Sequence, residues 1–154
     1  MRKQPNSRMC FICGLENEAG LKLVFFEEPE LQRVRADLVV PPSYQGYPGV
    51  VHGGIVAAVL DEVTARAAMI ESAHEKMMAT AKMSIRFRRP TPTGEPLVAV
   101  GWVRRTSQVG TAAAGEIRLS DGAVCAECEA LHIPVPEDVQ AGWDQEKEFW
   151  KVYD

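Results

Sequence analysis

Hydrophobic and polar positions change their spacing in the middle of the chain. From residue 53 to residue 72, about twenty residues run without proline and are rich in Ala, Val and Leu, which predicts the one long helix of the core. From Ala81 to Arg88 apolar and polar residues then alternate, which is typical of a strand with one buried face. The pattern therefore predicts a long helix that is followed by sheet.

Five further apolar stretches predict more strands. The pair at 21–26 and 34–40 flanks a Glu-Glu-Pro-Glu turn, and three more stretches lie at 97–105, 111–119 and 123–133. Asp121-Gly122 is a strong hairpin signal between the last two. This order predicts an α+β fold in which an antiparallel sheet of five to six strands wraps one long central helix.

The two sides of the predicted helix differ in side-chain size. We expect the sheet to cover the bulky side, which carries Ile55, Val56, Val59, Leu60, Val63 and Ile70. The other side carries small residues and one carboxylate: Gly54, Ala57, Ala58, Asp61, Thr64, Ala65, Ala68 and Ser72. Small residues allow another backbone to come close, and a carboxylate among them is costly to bury unless it is hydrogen-bonded or used. Asp61 is therefore a candidate functional residue, the alternative being a solvated position near an edge. Glu62 precedes Arg66 by four residues, which predicts an exposed ion pair.

Composition and charge limit the function classes. The chain has 154 residues, 46% apolar and 25% charged, as expected of one domain over 1–154, with a short cysteine-containing segment at 1–20 and a charged tail at 137–154. Seventeen Lys and Arg against twenty-one Asp and Glu give a net charge of −4, which argues against a nucleic-acid partner. No apolar run is long enough to span a membrane and no secretory signal precedes Cys10, so we expect a cytoplasmic protein with reduced thiols and no membrane partner.

One motif carries a family resemblance. The run Gly46-Tyr47-Pro48-Gly49-Val50-Val51-His52-Gly53-Gly54, with Asp61 nine positions after the histidine, resembles the PaaI-like group of hotdog-fold acyl-CoA thioesterases. Cys10-Phe11-Ile12-Cys13-Gly14 with Gly20-Leu21 resembles the amino-terminal segment of one subset, and residues 84–92 resemble the strand after the helix. The resemblance implies a hotdog fold that forms a homodimer or a dimer of dimers and hydrolyses acyl-CoA thioesters without a cofactor.

The same resemblance assigns roles to particular residues. Asp61 matches the base or nucleophile, Gly53 the backbone donor to the thioester carbonyl, and Thr80 a residue that helps hold the attacking water. Many relatives carry an Asn or Gln in the loop before the histidine. Either Gln45 occupies that position here, or Gly46 does and the amide side chain is missing. The free N–H groups at a helix start suit a developing oxyanion, and Gly53 and Gly54 leave room for substrate.

Other candidates keep two interpretations. His52 either orients the loop or the carbonyl or is structural. Arg86 and Arg88, with Lys82, Arg89, Arg104 and Arg105, either contact the phosphates of CoA or form a solvated strand face. The tail with Trp143, Phe149, Trp150 and Tyr153 either caps the acyl pocket or packs on a partner subunit.

A distance along the helix predicts the assembly. Eight steps of about 1.5 Å separate Gly53 from Asp61 by about 12 Å, so one thioester cannot contact both within a chain. An antiparallel second copy brings Asp61 of one chain to the Gly53 amide of the other, with two equivalent sites per dimer.

The four cysteines form two pairs of the C-x-x-C type. Cys10-x-x-Cys13 and Cys125-x-x-Cys128 suggest zinc, but residues three apart on a strand face opposite sides, so we expect no metal site. Two other functions are alternatives to hydrolysis. The first is a sensor that binds acyl-CoA; a version that also reads DNA is disfavoured because no helix pair precedes the core. The second is a hydratase, whose usual histidine-led signature is absent from the sequence.

Overall fold

A seven-stranded antiparallel sheet surrounds one long helix in a computed structural model that describes all 154 residues. In chain order the elements are β1 (Arg2–Lys3), β2 (Phe26–Glu28), β3 (Arg33–Val39), α1 (Gly53–Ala68), β4 (Met78–Phe87), β5 (Pro96–Thr106), β6 (Thr111–Leu119), β7 (Val124–Pro134) and α2 (Glu137–Asp144). The strands lie in the order β1-β2-β3-β5-β6-β7-β4, and α1 packs against β3, β4, β5, β6 and β7. The predicted hotdog fold is confirmed.

The amino-terminal part of the sheet differs from the prediction. Residues 21–25 are not a sheet strand, because Leu21 and Leu23 donate their backbone N–H groups to Phe11 and Ile12 of the preceding segment. The strand begins at Phe26 and includes Glu27, which was expected in the turn. Arg2 pairs with Glu27 across β1 and β2, which makes the seventh strand. The turn itself lies at Pro29–Leu31 as a short 3-10 helix.

Helix α1 lies unusually close to the sheet at two glycines. Gly101 on β5 and Gly115 on β6 are direct cross-strand partners, and a Cβ at Gly101 would lie 2.5 Å from the carbonyl oxygen of Val63. This approach buries Thr64 and Ala68, which were expected to face away from the sheet, together with the bulky positions Val56, Val59, Leu60 and Val63. The helix ends at Ala68, four residues earlier than predicted, and a 3-10 turn at Ile70–Ser72 continues it.

Arg66 is buried, which corrects the expectation of an exposed ion pair. Its Nε donates to Glu62 Oε1 at 2.8 Å, as the spacing predicted, but only 1% of its side chain is exposed. The amino-terminal segment and the tail cover it: Nη1 donates to the carbonyl of Pro5, and the guanidinium lies 4.7 Å from the ring centres of both Phe25 and Trp150. A carboxylate, a backbone carbonyl and two aromatic rings offset the cost of burying this charge, although Nη2 has no hydrogen-bond partner.

The carboxy-terminal tail packs on its own chain. Trp143 in α2 meets Trp150 edge-on with ring centres 5.2 Å apart, and the Trp150 indole donates to the carbonyl of His74. A bridge joins Lys151 to Asn6. No helix is long and apolar enough to cross a membrane.

Candidate active site

The start of α1 offers one free backbone donor. His52 caps the helix, because its Nδ1 accepts from the N–H of Gly54 at 2.8 Å and its carbonyl accepts from Ile55 and Val56. The N–H of Gly53 has no acceptor within the chain. Gly54, expected to bind substrate, therefore has its N–H occupied, whereas Gly53 points an unpaired donor along the positive end of the helix. With Nδ1 accepting, a neutral His52 ring carries its proton on the exposed Nε2.

The loop before His52 is closed by Gln45. Its Oε1 accepts from the N–H of Gly49 at 3.2 Å, and Gly46 donates its N–H to Val50 at 2.8 Å. The loop and the start of α1 form one wall of a cleft of about 900 Å³, and the end of β4 forms the other. The candidate residues Gln45, His52, Gly53 and Arg88 line this cleft, whereas Asp61 and Thr80 do not.

Asp61 lies halfway along α1 and is half-buried. Thr80 of β4 donates its hydroxyl to Asp61 Oδ1, which leaves Oδ2 free of hydrogen bonds. A bulge in β4 between Thr80 and Lys82 places Thr80 directly opposite His132 of β7. The sequence-predicted pair Asp61 and Thr80 is thus brought together.

His132 extends this pair into a buried network that the sequence analysis missed. The ring is fully buried, with Nδ1 at 3.3 Å from Thr80 Oγ1 and Nε2 at 2.9 Å from Thr64 Oγ1. Thr64 directs its single hydroxyl proton to the carbonyls of Leu60 and Asp61, so Nε2–H donates to Thr64 and Nδ1 keeps a lone pair towards Thr80. Burial lowers the pKa of His132, although Asp61 opposes the shift, so the ring is neutral at pH about 7.

A signal for His132 existed in the pattern of the last strand. It continues the inward-facing series of alternate residues Ala126, Cys128 and Ala130, all of them buried. A polar residue at an inward position of a strand needs hydrogen-bond partners. The partners themselves lie on α1 and β4, and only the three-dimensional arrangement identifies them.

The basic candidates do not form one patch. Arg88 lines the cleft and also makes an ion pair with Glu127 at 2.6 Å, which lowers the pKa of that carboxyl. Arg86 lies opposite Glu127 in the β4–β7 register and belongs to a separate groove with Arg104. Of Arg86 and Arg88, only Arg88 therefore lines the same cleft as Gly53 within a chain.

Two of the four cysteines lie together beside α1. Cys10, Cys13 and Glu62 bring their sulfur and carboxylate atoms within 4.8 Å of one another. The hydrogen bond from the Cys13 thiol is the main cause that lowers the pKa of Cys10 to about 7. Cys125 and Cys128 are buried in β7 and take no part in this cluster.

Comparison with known proteins identifies relatives of this arrangement. Residues 48–126 match the family model of the thioesterase superfamily. The bovine (Bos taurus) acyl-coenzyme A thioesterase THEM4 is 30% identical over 82 residues, which are 53% of this chain and 32% of that protein. The crystal structure of RHA08564, a thioesterase superfamily protein, is 35% identical with a TM-score of 0.74, over 82% of this chain and 63% of that one. The chain thus spans less than two thirds of either relative. The Escherichia coli PaaI protein of the phenylacetic acid degradation operon shares the fold, with 18% identity and a TM-score of 0.64 over 75% of this chain and 81% of that one.

Proposed function

Because the chain belongs to the thioesterase superfamily, we propose that it is an acyl-CoA thioesterase, which hydrolyses the thioester of an acyl-CoA to the free acid and CoA. The observation that carries the proposal is the carboxylate of Asp61, held in place by Thr80 on the half-buried side of α1. A carboxylate with one oxygen fixed and the other free is suited to accept a proton from water or to attack a carbonyl carbon.

The start of α1 supplies the opposite half of the chemistry. Hydrolysis builds negative charge on the thioester oxygen, and the free N–H of Gly53 donates to that oxygen at the positive end of the helix. The Nε2–H of His52 is the second donor at the same mouth. By the general-base route, Asp61 removes a proton from water, the hydroxide adds to the carbonyl carbon, the C–S bond breaks, and the proton passes to the CoA thiolate. By the alternative route, Asp61 attacks directly and water hydrolyses the resulting anhydride.

The two parts of the site, the Asp61 carboxylate and the Gly53 N–H group, meet between two subunits. Strand β4 ends the sheet and its outer edge is unpaired, which is a template for another strand. Thr80 lies near one end of β4 and Phe87 at the other, and the Phe87 ring would lie 3.6 Å from a Cβ at Gly53. Antiparallel pairing of β4 with its copy about a two-fold axis at Ser84, with residue 81 left out of the register as the bulge, places residue 80 of each chain opposite residue 87 of the other. This register supports two shared sites in a homodimer, or four in a dimer of dimers.

The cleft gives the substrate its place. Arg88 on the cleft wall is positioned to contact a phosphate of CoA. This contact either replaces the ion pair of Arg88 with Glu127 or forms beside it. Gln45 shapes the mouth through its bond to Gly49, and its NH2 group remains available to the substrate. Arg86 reaches the CoA only from the neighbouring groove, across the paired β4 strands.

A thiol-release assay over a panel of acyl-CoAs tests the proposal. We expect the protein to release CoA, and we expect Asp61→Asn to abolish release while leaving the fold intact. Asp138→Asn is the matched control, because Asp138 is exposed on α2 and makes no hydrogen bond. Tight binding of acyl-CoA without thiol release would favour the sensor, and hydration of an enoyl-CoA with the thioester retained would favour the hydratase.

A further inference from the structure

Two thiols of the amino-terminal segment lie against the side of α1 next to Asp61. Cys13 is buried, Cys10 and Glu62 are half-buried, and their three donor groups lie within 4.8 Å of one another. Sulfur of cysteine with carboxylate oxygen is a ligand set used by zinc. The cysteine spacing suggested the second pair as partners for the first, whereas in the structure the Glu62 carboxylate of α1 lies with Cys10 and Cys13.

The turn that carries the cysteines is built to present Cys10. The N–H groups of Ile12 and Cys13 point at Cys10 Sγ at 3.3 and 3.5 Å, and Gly14 closes the turn by donating to the Cys10 carbonyl at 2.7 Å. A Cβ at Gly14 would overlap the Cys10 backbone, so the turn requires glycine there. Backbone donors directed at a sulfur stabilise its thiolate form, which is the form that binds a metal.

We propose that Cys10, Cys13 and Glu62 bind one Zn²⁺ ion, with water as the fourth ligand on the half-buried Cys10 side. Tetrahedral bonds of about 2.3 Å to sulfur and about 2.1 Å to oxygen place a sulfur and an oxygen ligand about 3.6 Å apart. Cys10 Sγ and Glu62 Oε2 lie 3.8 Å apart, so this pair needs almost no movement to share an ion.

The surrounding charges also fit a divalent cation. Arg66 donates to Oε1 of Glu62, which orients the carboxylate so that Oε2 faces the sulfurs. Two thiolates and a carboxylate carry three negative charges, which Zn²⁺ and the buried Arg66 guanidinium balance in full. Without the ion, ionised thiols at this site would leave a net negative charge in a partly buried place.

The ion would fasten the amino-terminal segment to the helix that carries Asp61. Arg66 donates to the carbonyl of Pro5, and Cys10 Sγ lies 3.8 Å from Glu62 Oε2, so the segment already meets α1 through two contacts. Glu62 directly follows Asp61 in α1. A metal ion bound to Glu62 would therefore attach the amino-terminal segment to the helix next to Asp61. The site is separate from the cleft at Gly53, and its occupancy does not depend on the proposed hydrolysis.

Metal titration of the reduced, metal-free full-length protein tests the proposal. We expect one equivalent of Zn²⁺ to bind in competition with a chromogenic chelator, and Co²⁺ to give the thiolate-to-metal absorption of a cysteine-ligated ion. Cys10→Ser and Cys13→Ser should each weaken Zn²⁺ binding more than about 100-fold, and Glu62→Gln about 10- to 100-fold. Cys128→Ala is the control, since this buried thiol lies on β7 and should leave binding unchanged.

Hydrogen exchange supplies a second readout on the wild-type chain, which keeps the test valid if a cysteine variant fails to fold. We expect Zn²⁺ to slow exchange of the amides around Cys10 and Cys13. The proposal is overturned if reduced protein takes up no stoichiometric Zn²⁺, if uptake persists in Cys10→Ser and Cys13→Ser, or if the ion leaves exchange in this turn unchanged.

Discussion

Removal of the Thr80 hydroxyl tests the role of the residue that holds Asp61. Thr80→Val keeps the branched shape suited to β4 and deletes the one hydrogen bond to the Asp61 carboxylate. A hydrogen bond to a charged group contributes about 1.5–3 kcal/mol, which corresponds to a loss of about 10- to 150-fold in kcat/KM if the bond is needed in the transition state. Thr80 is exposed, so we expect the free energy of unfolding to change little.

The assay compares kcat/KM for thioester hydrolysis with urea unfolding for a matched set of variants. Thr80→Ser retains the hydroxyl and should stay within a few-fold of wild type. Thr64→Val removes a hydroxyl from the buried side of the same network and leaves the Nε2–H of His132 without an acceptor, which should cost about 1–3 kcal/mol of stability. The reasoning is refuted if Thr80→Val keeps wild-type kcat/KM, or if its activity falls only as far as its stability does.

Three further predictions concern stability. Arg66→Met should destabilise the protein by about 3–5 kcal/mol in urea unfolding, because the partly buried Glu62 loses its partner; a change below about 1 kcal/mol would contradict the buried pairing. Because burial lowers the pKa of His132, the unfolded chain binds more protons below its ordinary pKa of about 6.5, so stability should fall as pH drops from about 7 towards the lower native pKa. His132→Gln should show a shallower fall, and an unchanged slope would remove His132 as its source. Gly101→Ala should destabilise by about 1–3 kcal/mol through overlap with α1, whereas Gly142→Ala, where a Cβ meets nothing within 4 Å, should not; equal melting temperatures would contradict the close helix–sheet approach.

Local patterns predicted the central elements well. The residue range of β6, 111–119, and the turn at Asp121-Gly122 agree with the sequence interpretation, because hairpin chemistry and alternation act between near neighbours. Helix α1 was predicted with its correct first residue, because the long run that is rich in Ala, Val and Leu begins at Gly53. Its end was misplaced because the 3-10 turn at Ile70–Ser72 has a similar composition.

The errors come from contacts between distant segments. The spacing of Glu62 and Arg66 predicted their pairing but not its burial, which depends on Pro5, Phe25 and Trp150. The short strand β1 exists only because β2 pairs with it.

In the candidate site, too, the local motifs were predictable from the sequence and the contacts between distant segments were not. The motif around His52 and the carboxylate at position 61 were visible in the sequence, and so was the match at Thr80. His132 of β7 donates a hydrogen bond to Thr64 of α1 and lies against Thr80 of β4, and these contacts have no local signature. The third member of the Cys10–Cys13 cluster, Glu62, was likewise assigned to a helix pair and not to the thiols.

Subunit complementation tests the shared site most directly. Differently tagged Asp61→Asn and Gly53→Val chains, each inactive alone, are mixed, exchanged and purified as mixed dimers; a Cβ at Gly53 meets its own chain no closer than 3.6 Å, so the valine acts mainly on the bound thioester. A mixed dimer keeps one intact site, formed by Gly53 of the first chain and Asp61 of the second, and should recover about half of the wild-type activity per dimer. Mixed dimers that form and remain inactive would contradict the account.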